Sequence, residues 1–295
     1  MKVAVTGASG LIGRALVPAL RRNGHEVIRL VRRPSTHADE VSWDPAAGTV
    51  DLVGLAGTEG VIHLAGAGVG DHRWTDDYKR EILNSRVDGT HTIVRAMASL
   101  DPLPRVLVSG SAIGWYGDTG DRAVDESAPA GSGFLADVVR AWEAAAEPAQ
   151  SAGIRVTLAR TGLVVAKDGG AWGRMFPLFK AGVGGTLGSG KQYWSWISLR
   201  DEVSALEYLL TNEDLSGPVN LTAPHPMTNA AITKVMGQVL HRPTVLPVPA
   251  FALKTVLGEF STEVLGSTRV LPAVLEASDF VWQDRELESA IRAAL

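Results

Sequence analysis

The chain has 295 residues, of which 45% are hydrophobic and 20% charged, and its formal net charge is −4. This composition is typical of a globular protein with one large or two small domains, and the charge argues against nucleic acid or an anionic membrane as the main partner. The lack of cysteine excludes disulfides, zinc–thiolate sites and a cysteine nucleophile. We find no apolar stretch of membrane-spanning length and no signal pattern, and therefore expect a cytoplasmic protein without a membrane partner.

A glycine turn near the amino terminus separates the first predicted strand from the first predicted helix. Val3–Val5 is a short apolar run, and Leu11–Arg22 has a helical pattern. Gly7, Gly10 and Gly13 stand at the spacing that permits a tight turn, close approach of a pyrophosphate and close packing of helix on strand. The free N–H groups at the helix start also favour an anion. The predicted dinucleotide site comprises Gly7, Ser9, Gly10, Leu11, Ile12 and Gly13.

Strand and helix patterns then alternate, which indicates a doubly wound parallel α/β sheet of the Rossmann type. The further predicted strands are Glu26–Val31, Gly60–Leu64, Arg105–Ser109 and Arg155–Arg160, and the helices between them are Asp76–Leu100 and Phe134–Ala152. Ligands of such sheets bind beyond the carboxyl ends of the strands. The residues that follow each strand are therefore the candidates for function.

The composition changes at about Val164, where glycine-dense loops begin. We expect a Rossmann domain over residues 1–165, to which 195–225 returns, and a smaller C-terminal substrate lobe built from 166–194 and 226–295. The predicted elements here are helix Asp201–Leu210, strand Pro218–Leu221, and helices Met227–Leu240 and Phe251–Leu257, with Thr228 or Asn229 as a cap.

The residues after the second strand bear on the choice between NAD and NADP. Folds that bind NAD place an Asp or Glu there to hold the ribose 2′-hydroxyl. This chain has Arg32 and Arg33 instead. Two guanidinium groups suit a 2′-phosphate, and the Ser9 hydroxyl is placed to assist them. The pattern favours NADP over NAD, and the alternative is that both arginines are solvated loop charges.

Three motifs together resemble a known superfamily. They are Thr6-Gly-Ala-Ser-Gly-Leu-Ile-Gly13, His63-Leu-Ala-Gly66 and Ser109-Gly-Ser-Ala-Ile-Gly-Trp-Tyr-Gly117. They resemble the extended short-chain dehydrogenase/reductases, and in particular an atypical branch of nucleoside-diphosphate-sugar epimerase-like proteins with a small C-terminal domain. Further stretches similar to that branch are Ser85-Arg86, Trp142-Glu143, Gly184–Gly190, Trp194–Ile197 and Arg269–Pro272. The resemblance implies a nicotinamide cofactor and a cleft under the C-terminal lobe, but it names no substrate.

The resemblance also implies roles for single residues. Ser111 matches the serine that holds the reacting oxygen of the substrate, and Arg160 stands at the strand end near the nicotinamide carboxamide. Ser85 lies on a helix that borders the cofactor in related enzymes, although a hydroxyl inside a helix also bonds readily to its own backbone. The residues expected beside the cofactor ribose and nicotinamide are Leu64, Ala65 and Gly66.

The catalytic Tyr-x-x-x-Lys pair of the superfamily is missing. Phe134 stands at the expected tyrosine and Val138 at the expected lysine, and no tyrosine of the chain has a lysine four residues later. Tyr116, on the same loop as Ser111, is the best substitute as acid or base, unless it is a packed aromatic beside the cofactor. Weaker candidates are Lys79, Asp137, Asp125 and Glu126. Two alternatives are hydride transfer without a side-chain acid and a protein that turns nothing over.

Other polar and aromatic residues leave further possibilities open. His63 lies in an apolar strand, where a hydrogen-bonded structural role is favoured over catalysis. The histidines lack metal-ligand spacing, so no metal site is expected. Trp172, Trp194 and Trp196 flank the glycine loops and would line a cleft for a ring-bearing anion or pack between the lobes.

The whole pattern predicts an NADP-dependent oxidoreductase or epimerase-like enzyme that acts on a small polar substrate such as a sugar nucleotide. The alternative is a catalytically silent NADP-binding module that senses redox state or scaffolds a partner. By analogy with relatives of this fold, a homodimer would form through the helices at 76–100 and 134–152.

Overall fold

The computed structural model describes residues 1–295. The strands are β1 (Lys2–Thr6), β2 (Glu26–Val31), β3 (Glu40–Asp44), β4 (Thr49–Val50), β5 (Gly60–His63), β6 (Val106–Ala112), β7 (Arg155–Thr161), β8 (Leu163–Val165), β9 (Tyr193–Trp194), β10 (Trp196–Ser198), β11 (Gly217–Leu221) and β12 (Met227–Thr228). The helices are α1 (Leu11–Arg22), α2 (Asp76–Ala98), α3 (Phe134–Ser151), α4 (Gly170–Lys180), α5 (Leu199–Thr211), α6 (Asn229–Leu240), α7 (Ala250–Leu257), α8 (Ser261–Leu265), α9 (Ala273–Glu276) and α10 (Leu287–Ala294).

The central sheet has eight strands in the order β11-β7-β6-β5-β1-β2-β3-β4. All neighbours pair in parallel except β3 and β4, which pair antiparallel at one edge. The chain starts at β1, builds outward through β2 and β3, and then crosses to β5 on the other side. This order confirms the doubly wound parallel sheet, and its reversal between β1 and β5 creates a crevice at the carboxyl ends of these strands.

In the central sheet, the structure adds two strands that the sequence patterns did not indicate. β3 and β4 occupy the segment between the predicted strands at 26–31 and 60–64, to which no element was assigned. The helix expected at Met227–Leu240 begins only at Asn229, because Met227 and Thr228 pair with β9. Thr228 Oγ1 accepts a hydrogen bond from Ala231 N at 3.3 Å and thereby caps α6.

Each face of the sheet carries its own hydrophobic core. α1 and α5 cover one face through residues such as Leu16 and Leu206, whereas α2 and α3 cover the other through residues such as Met97 and Ala146. Burial of each large side chain contributes roughly 1.5–3 kcal/mol. None of the helices is both long and apolar enough to cross a membrane.

A third hydrophobic core decides between the two roles considered for the three tryptophans. Trp172, Trp194 and Trp196 are 0%, 6% and 1% exposed and pack with residues of α4, α6 and α10. They therefore form part of a buried core. Of the two alternatives, packing is favoured over the lining of a substrate cleft, because the rings are buried among hydrophobic side chains.

Candidate functional site

The glycine turn between β1 and α1 has a separate steric reason for each glycine. Gly7 has a φ of +68°, and a Cβ there would lie 2.8 Å from the backbone of Leu64. A Cβ on Gly13 would lie 2.2 Å from the carbonyl oxygen of Gly7. Gly10 differs, because its Cβ would meet only that same oxygen, at 3.2 Å. Gly7 and Gly13 are thus required by the fold itself, whereas Gly10 leaves an open approach to the backbone.

The start of α1 presents unpaired donors beside Gly10. Gly10 is the N-cap residue, no side chain caps this end, and its first turn carries no acidic residue. The first N–H groups of a helix have no acceptor within the helix. The N–H groups of Leu11 and Ile12 are therefore available to an anion. An open backbone and free helical donors fit the diphosphate of a dinucleotide.

His63 has a structural role at the end of β5. Thr6 Oγ1 accepts hydrogen bonds from the N–H groups of Leu64 at 3.0 Å and Ala65 at 3.1 Å, and it lies 2.8 Å from His63 Nδ1. Because its two lone pairs are occupied, the hydroxyl donates its own hydrogen to Nδ1. Burial lowers the pKa of His63 to about 4, so the ring is neutral at physiological pH. This network holds Leu64 and Ala65 against the glycine turn.

Ser85 holds the next part of the same loop. Its Oγ accepts a hydrogen bond from Ala67 N at 3.0 Å and donates one to the Ile82 carbonyl at 3.2 Å. Ser85 thus anchors the loop and bonds to the backbone of its own helix at the same time. A direct contact of Ser85 with a cofactor stays a prediction.

The two arginines after β2 have different surroundings. Arg33 donates two hydrogen bonds to the carboxylate of Glu40, at 2.9 and 2.7 Å, and these hold the pKa of Glu40 at about 2. Arg32 is exposed and pairs with no carboxylate. Glu40, on the unpredicted strand β3, was missed by the sequence analysis. Because Glu40 binds Arg33, only Arg32 offers a free guanidinium group.

A buried hydrogen-bonded chain lies at the carboxyl ends of β6 and β7. Ser111 Oγ donates to Glu143 Oε1 at 2.5 Å. Arg160 donates to both carboxylate oxygens of Glu143 at 2.8 Å and to the Tyr116 hydroxyl at 3.0 Å. The Tyr116 hydroxyl donates in turn to Asn220 Oδ1 at 2.8 Å. The chain links Ser111 to Arg160 through Glu143, to which the sequence analysis gave no role, and links Tyr116 to Arg160 directly.

This arrangement argues against Tyr116 as the acid or base. The amide nitrogen of Asn220 donates to the Leu271 carbonyl at 2.9 Å, so its Oδ1 faces Tyr116 as an acceptor and takes the phenolic hydrogen. Arg160 supplies the hydrogen bond that the phenolic oxygen accepts. Tyr116 is also 3% exposed, and burial raises its pKa above the ordinary value. The structure therefore favours the packed-aromatic interpretation.

Arg160 has an interior environment as well. Its guanidinium lies 4.1 Å from the centre of the Trp115 ring, and the side chain is almost fully buried. Three of its N–H groups are bound to Glu143 and Tyr116. The expected contact of Arg160 with the nicotinamide end of a cofactor stays a prediction, and its visible role is to balance the charge of Glu143.

The positions that carry Tyr and Lys in the superfamily are filled by packing here. Phe134 stacks edge to face on Trp74 at 4.9 Å, with Lys79 Nζ 4.8 Å from its ring centre. Val138 is 2% exposed in the same cluster. Lys79 pairs with Glu259 at 2.6 Å. The structure thus supplies no ionisable replacement at these positions.

The weaker acid–base candidates are also occupied. Asp137 is exposed and pairs with Arg140, and Asp125 accepts hydrogen bonds from Ser127. Glu126 is partly buried, and burial raises its pKa, but its Oε1 accepts the N–H groups of Asn220 at 2.9 Å and Val274 at 3.3 Å. Asp125 and Glu126 therefore stabilise backbone through one carboxylate oxygen each, whereas Oε2 of Glu126 is buried without a hydrogen-bond partner.

Glu143 and Arg86 are charged residues on the apolar faces of their helices, and this pattern in the sequence indicates their importance. Glu143 follows Val139 by four residues on the buried stripe of α3, and Arg86 follows Ile82 by four residues on α2. A charged residue on the apolar face of a helix normally requires a specific partner. This periodicity could have identified both residues before the structure.

Comparisons with known proteins agree with this architecture. The family model described as NAD dependent epimerase/dehydratase family matches residues 3–222, and a domain of unknown function, DUF1731, matches 248–294. An epimerase family protein of Mycobacterium leprae is 43% identical over 99% of this chain and 95% of its own length. The chloroplastic SDR39U1 homologue of Arabidopsis thaliana is 39% identical over 100% of this chain and 87% of its own length.

Solved structures show the same fold over the full length. The human epimerase family protein SDR39U1, crystallised with NADPH, superposes with a TM-score of 0.91 at 29% identity, covering 100% of this chain and 99% of that one. A nucleoside-diphosphate sugar epimerase of Corynebacterium glutamicum has a TM-score of 0.81 at 34% identity, covering 99% of this chain and 57% of that one.

Proposed function

The chain belongs to the NAD dependent epimerase/dehydratase family, and from this premise we propose that it is an NADP(H)-dependent, epimerase-like oxidoreductase of a small polar substrate. The observation that carries the proposal is the open glycine turn with the uncapped start of α1, which fits a dinucleotide diphosphate. The exposed, unpaired Arg32 favours a 2′-phosphate and hence NADP over NAD. The NADPH in the human relative's structure supports the same choice.

The cofactor contacts in this proposal come from backbone and small residues. The N–H groups of Leu11 and Ile12 bind the diphosphate, and Gly10 permits its approach. Ala65, which the Thr6 network holds beside the turn, and the following Gly66 leave room for the ribose and nicotinamide. When bound, the nicotinamide supplies a site that accepts or returns a hydride.

Ser111 and Glu143 replace the missing Tyr-x-x-x-Lys pair in this proposal. Because Ser111 donates its hydrogen to Glu143, its oxygen lone pairs remain to accept the proton of a substrate hydroxyl. When that proton moves to Ser111 Oγ, the serine's own proton moves to Glu143 Oε1. Arg160 balances the charge of the Glu143 carboxylate before this step. In an epimerisation both protons return with the hydride, whereas in a net oxidation Glu143 releases its proton to water after the product leaves, and a net reduction takes that proton up from water.

One observation favours a second function. Ser111 is 4% exposed and Glu143 is 6% exposed, and Phe134 has no exchangeable proton. Burial of these side chains away from solvent is also expected of a non-catalytic NADP-binding sensor or scaffold. The two functions differ in turnover and agree in cofactor binding.

The experiment combines cofactor titration with a substrate panel. We expect the wild-type protein to bind NADPH in calorimetry more tightly than NADH. With one of a set of nucleotide sugars, ketones and quinones, we expect it either to change the absorbance of added NADPH or NADP+ or to form an epimer of the substrate. Ser111→Ala should abolish turnover and retain NADPH binding. Ser109→Ala, which removes a buried hydroxyl two residues earlier on β6 that does not contact Glu143, is the matched control.

The outcomes separate the hypotheses. No binding of either cofactor would refute the proposal. Tight NADPH binding without turnover across the panel would favour the sensor or scaffold. Full turnover in Ser111→Ala would refute the assignment of the serine.

A further inference from the structure

Arg86 is a partly buried cation without a carboxylate partner. Its Nη1 donates to the carbonyl oxygens of Ala67 at 2.9 Å and Ile82 at 3.0 Å. Its Nε–H and Nη2–H groups bond to no protein atom, and it forms no salt bridge. The only ionisable neighbour with an electrostatic effect on it is Tyr78. Since Tyr78 donates its hydroxyl hydrogen to the Gly68 carbonyl and its pKa is raised, it brings no negative charge.

The surroundings of this guanidinium are poorly hydrated. It lies 5.0 Å from the centre of the Trp142 ring, and a Cβ on Gly66 would come within 3.3 Å of its Cζ. Desolvation lowers the pKa of Arg86 to about 10, so the group remains a cation at neutral pH. To hold an unpaired charge away from water is costly unless another group compensates it.

Two other arginines with buried or partly buried side chains have their charge or their donors compensated. Arg160 is buried and neutralised by Glu143. Arg155 is partly buried and donates to the carbonyl oxygens of Leu209 and Leu210 at the end of α5 and of Leu215 beyond it. Arg86 has neither a carboxylate nor enough carbonyl acceptors for its fork of donors.

The position of Arg86 is next to the proposed cofactor site. It lies beneath the loop formed by residues 64–68, whose first part packs on Gly7 and whose later part is held by Ser85. Trp142, against which it packs, precedes Glu143 on α3. Arg86 therefore lies between the loop that packs on the glycine turn and the helix that carries Glu143.

We propose that the Nε and Nη2 donors of Arg86 bind an oxyanion of the substrate, a carboxylate or a phosphoryl group, so that the substrate of this protein is an anion. A guanidinium fork matches two oxygens of such a group. The inference rests on the proposed function, because it places the anion beside the cofactor. The diphosphate of the cofactor is the other source of the same chemistry, and the experiment separates the two.

The experiment titrates inorganic phosphate, as the probe anion, into the NADPH-saturated protein and follows tryptophan fluorescence, since Trp142 adjoins Arg86. Hydrogen bonds to a charged group contribute about 1.5–3 kcal/mol, which is roughly tenfold or more in affinity. We expect Arg86→Gln to weaken phosphate binding by about tenfold or more and NADPH binding by less than about threefold. Arg80→Gln, which removes one exposed charge from the same helix, should leave both unchanged.

Each result has a defined meaning. Unchanged phosphate affinity in Arg86→Gln overturns the proposal, and so does an equal loss of NADPH affinity, since the oxyanion would then belong to the cofactor. If Arg86→Gln does not fold, Arg86→Lys keeps the charge without the fork and should still lose several-fold in phosphate affinity. The same phosphate titration of the cofactor-free protein measures the dependence on Arg86 by itself. Failure of the wild type to bind NADPH would therefore count against the proposed function alone.

Discussion

Ser111 Oγ lies 2.5 Å from Glu143 Oε1 and donates its hydrogen to it. The contact joins the end of β6 to the middle of α3. Phe134 and Val138, which stand at the positions of the superfamily's tyrosine and lysine, lie earlier on the same helix. The contact gives the serine a fixed orientation, in which its oxygen can accept a proton but its hydrogen is already engaged. The chemistry proposed for this protein depends on that orientation and on the charge balance that Arg160 provides.

Loss of the Glu143 carboxylate should destabilise the protein strongly. Glu143→Gln leaves the buried Arg160 guanidinium without its counter-ion, and removal of one partner of a buried pair typically costs about 3–5 kcal/mol. Urea unfolding monitored by circular dichroism measures this free energy. Glu147→Gln, at the exposed side of the same helix, should change it little. Equal stability of the two variants would contradict the role given to the pair.

Tyr116→Phe should lower stability without loss of cofactor binding. The variant leaves Asn220 Oδ1 and an Arg160 donor without a partner, at a cost of about 1–3 kcal/mol. Tyr208→Phe is the matched control, because the hydroxyl of Tyr208 makes no hydrogen bond within the protein. Urea unfolding and NADPH titration measure both effects. A loss of turnover in Tyr116→Phe at unchanged stability would restore this tyrosine as the acid or base.

Arg32 should contribute more than Arg33 to the preference for NADPH. Arg33 is already bound to Glu40, whereas Arg32 is free. We expect Arg32→Gln to weaken NADPH binding by about tenfold, the value of one charge-assisted hydrogen bond, and Arg33→Gln to weaken it less. NADH affinity, measured by the same calorimetric titration, serves as the internal control and should not change. The opposite order of the two variants would show that Arg33 leaves Glu40 for the phosphate.

Gly10→Ala and Gly13→Ala should separate binding from folding. Gly10 has a φ of −74° that alanine adopts readily, and the added methyl would meet only the Gly7 carbonyl oxygen, at 3.2 Å, which requires a small shift of the backbone. It would occupy the approach to the diphosphate, so NADPH affinity should fall by at least about tenfold while the melting temperature stays near that of the wild type. In Gly13→Ala the Cβ lies 2.6 Å from the Ala8 Cα, and we expect a loss of about 1–3 kcal/mol in stability. Calorimetry measures both quantities, and normal NADPH binding by Gly10→Ala would contradict the site.

The buried Glu202 should make stability depend on pH. Burial raises its pKa from 4.5 to about 8, and Thr161 Oγ1 lies 2.8 Å from its Oε1. Between these pH values the unfolded chain has lost the proton and the folded protein retains it. The free energy of unfolding should therefore fall as the pH rises through this window, by on the order of 3–5 kcal/mol.

Glu202→Gln keeps an amide in place of the protonated carboxyl and removes the titration. It should flatten this part of the profile and exceed the wild type in stability at pH 8, as measured by urea unfolding at several pH values. Glu213→Gln, at the exposed end of the same region, should follow the wild-type profile. Parallel profiles for Glu202→Gln and the wild type would exclude a protonated Glu202.

Local patterns in the sequence were enough for the fold class and the glycine turn. Gly7, Gly10 and Gly13 act on neighbouring backbone, and the alternation of apolar runs with helical stretches reflects burial of each element against one sheet. The short strand β3 was not predicted because Glu40–Asp44 mixes charged and apolar residues over only five positions. The domain division predicted from composition remains a prediction.

Tertiary structure alone decided which side chains are free to act. Tyr116 meets Asn220 at a separation of 104 residues, Glu143 meets Ser111 at 32, and Arg33 finds Glu40 on a strand that the sequence did not reveal. A hydrogen bond depends on distances of a few tenths of an ångström between elements, and no local periodicity encodes them. The sequence by itself therefore determined where a dinucleotide can bind, whereas the packing of β6, α3 and β7 determined which donors and charges remain for chemistry.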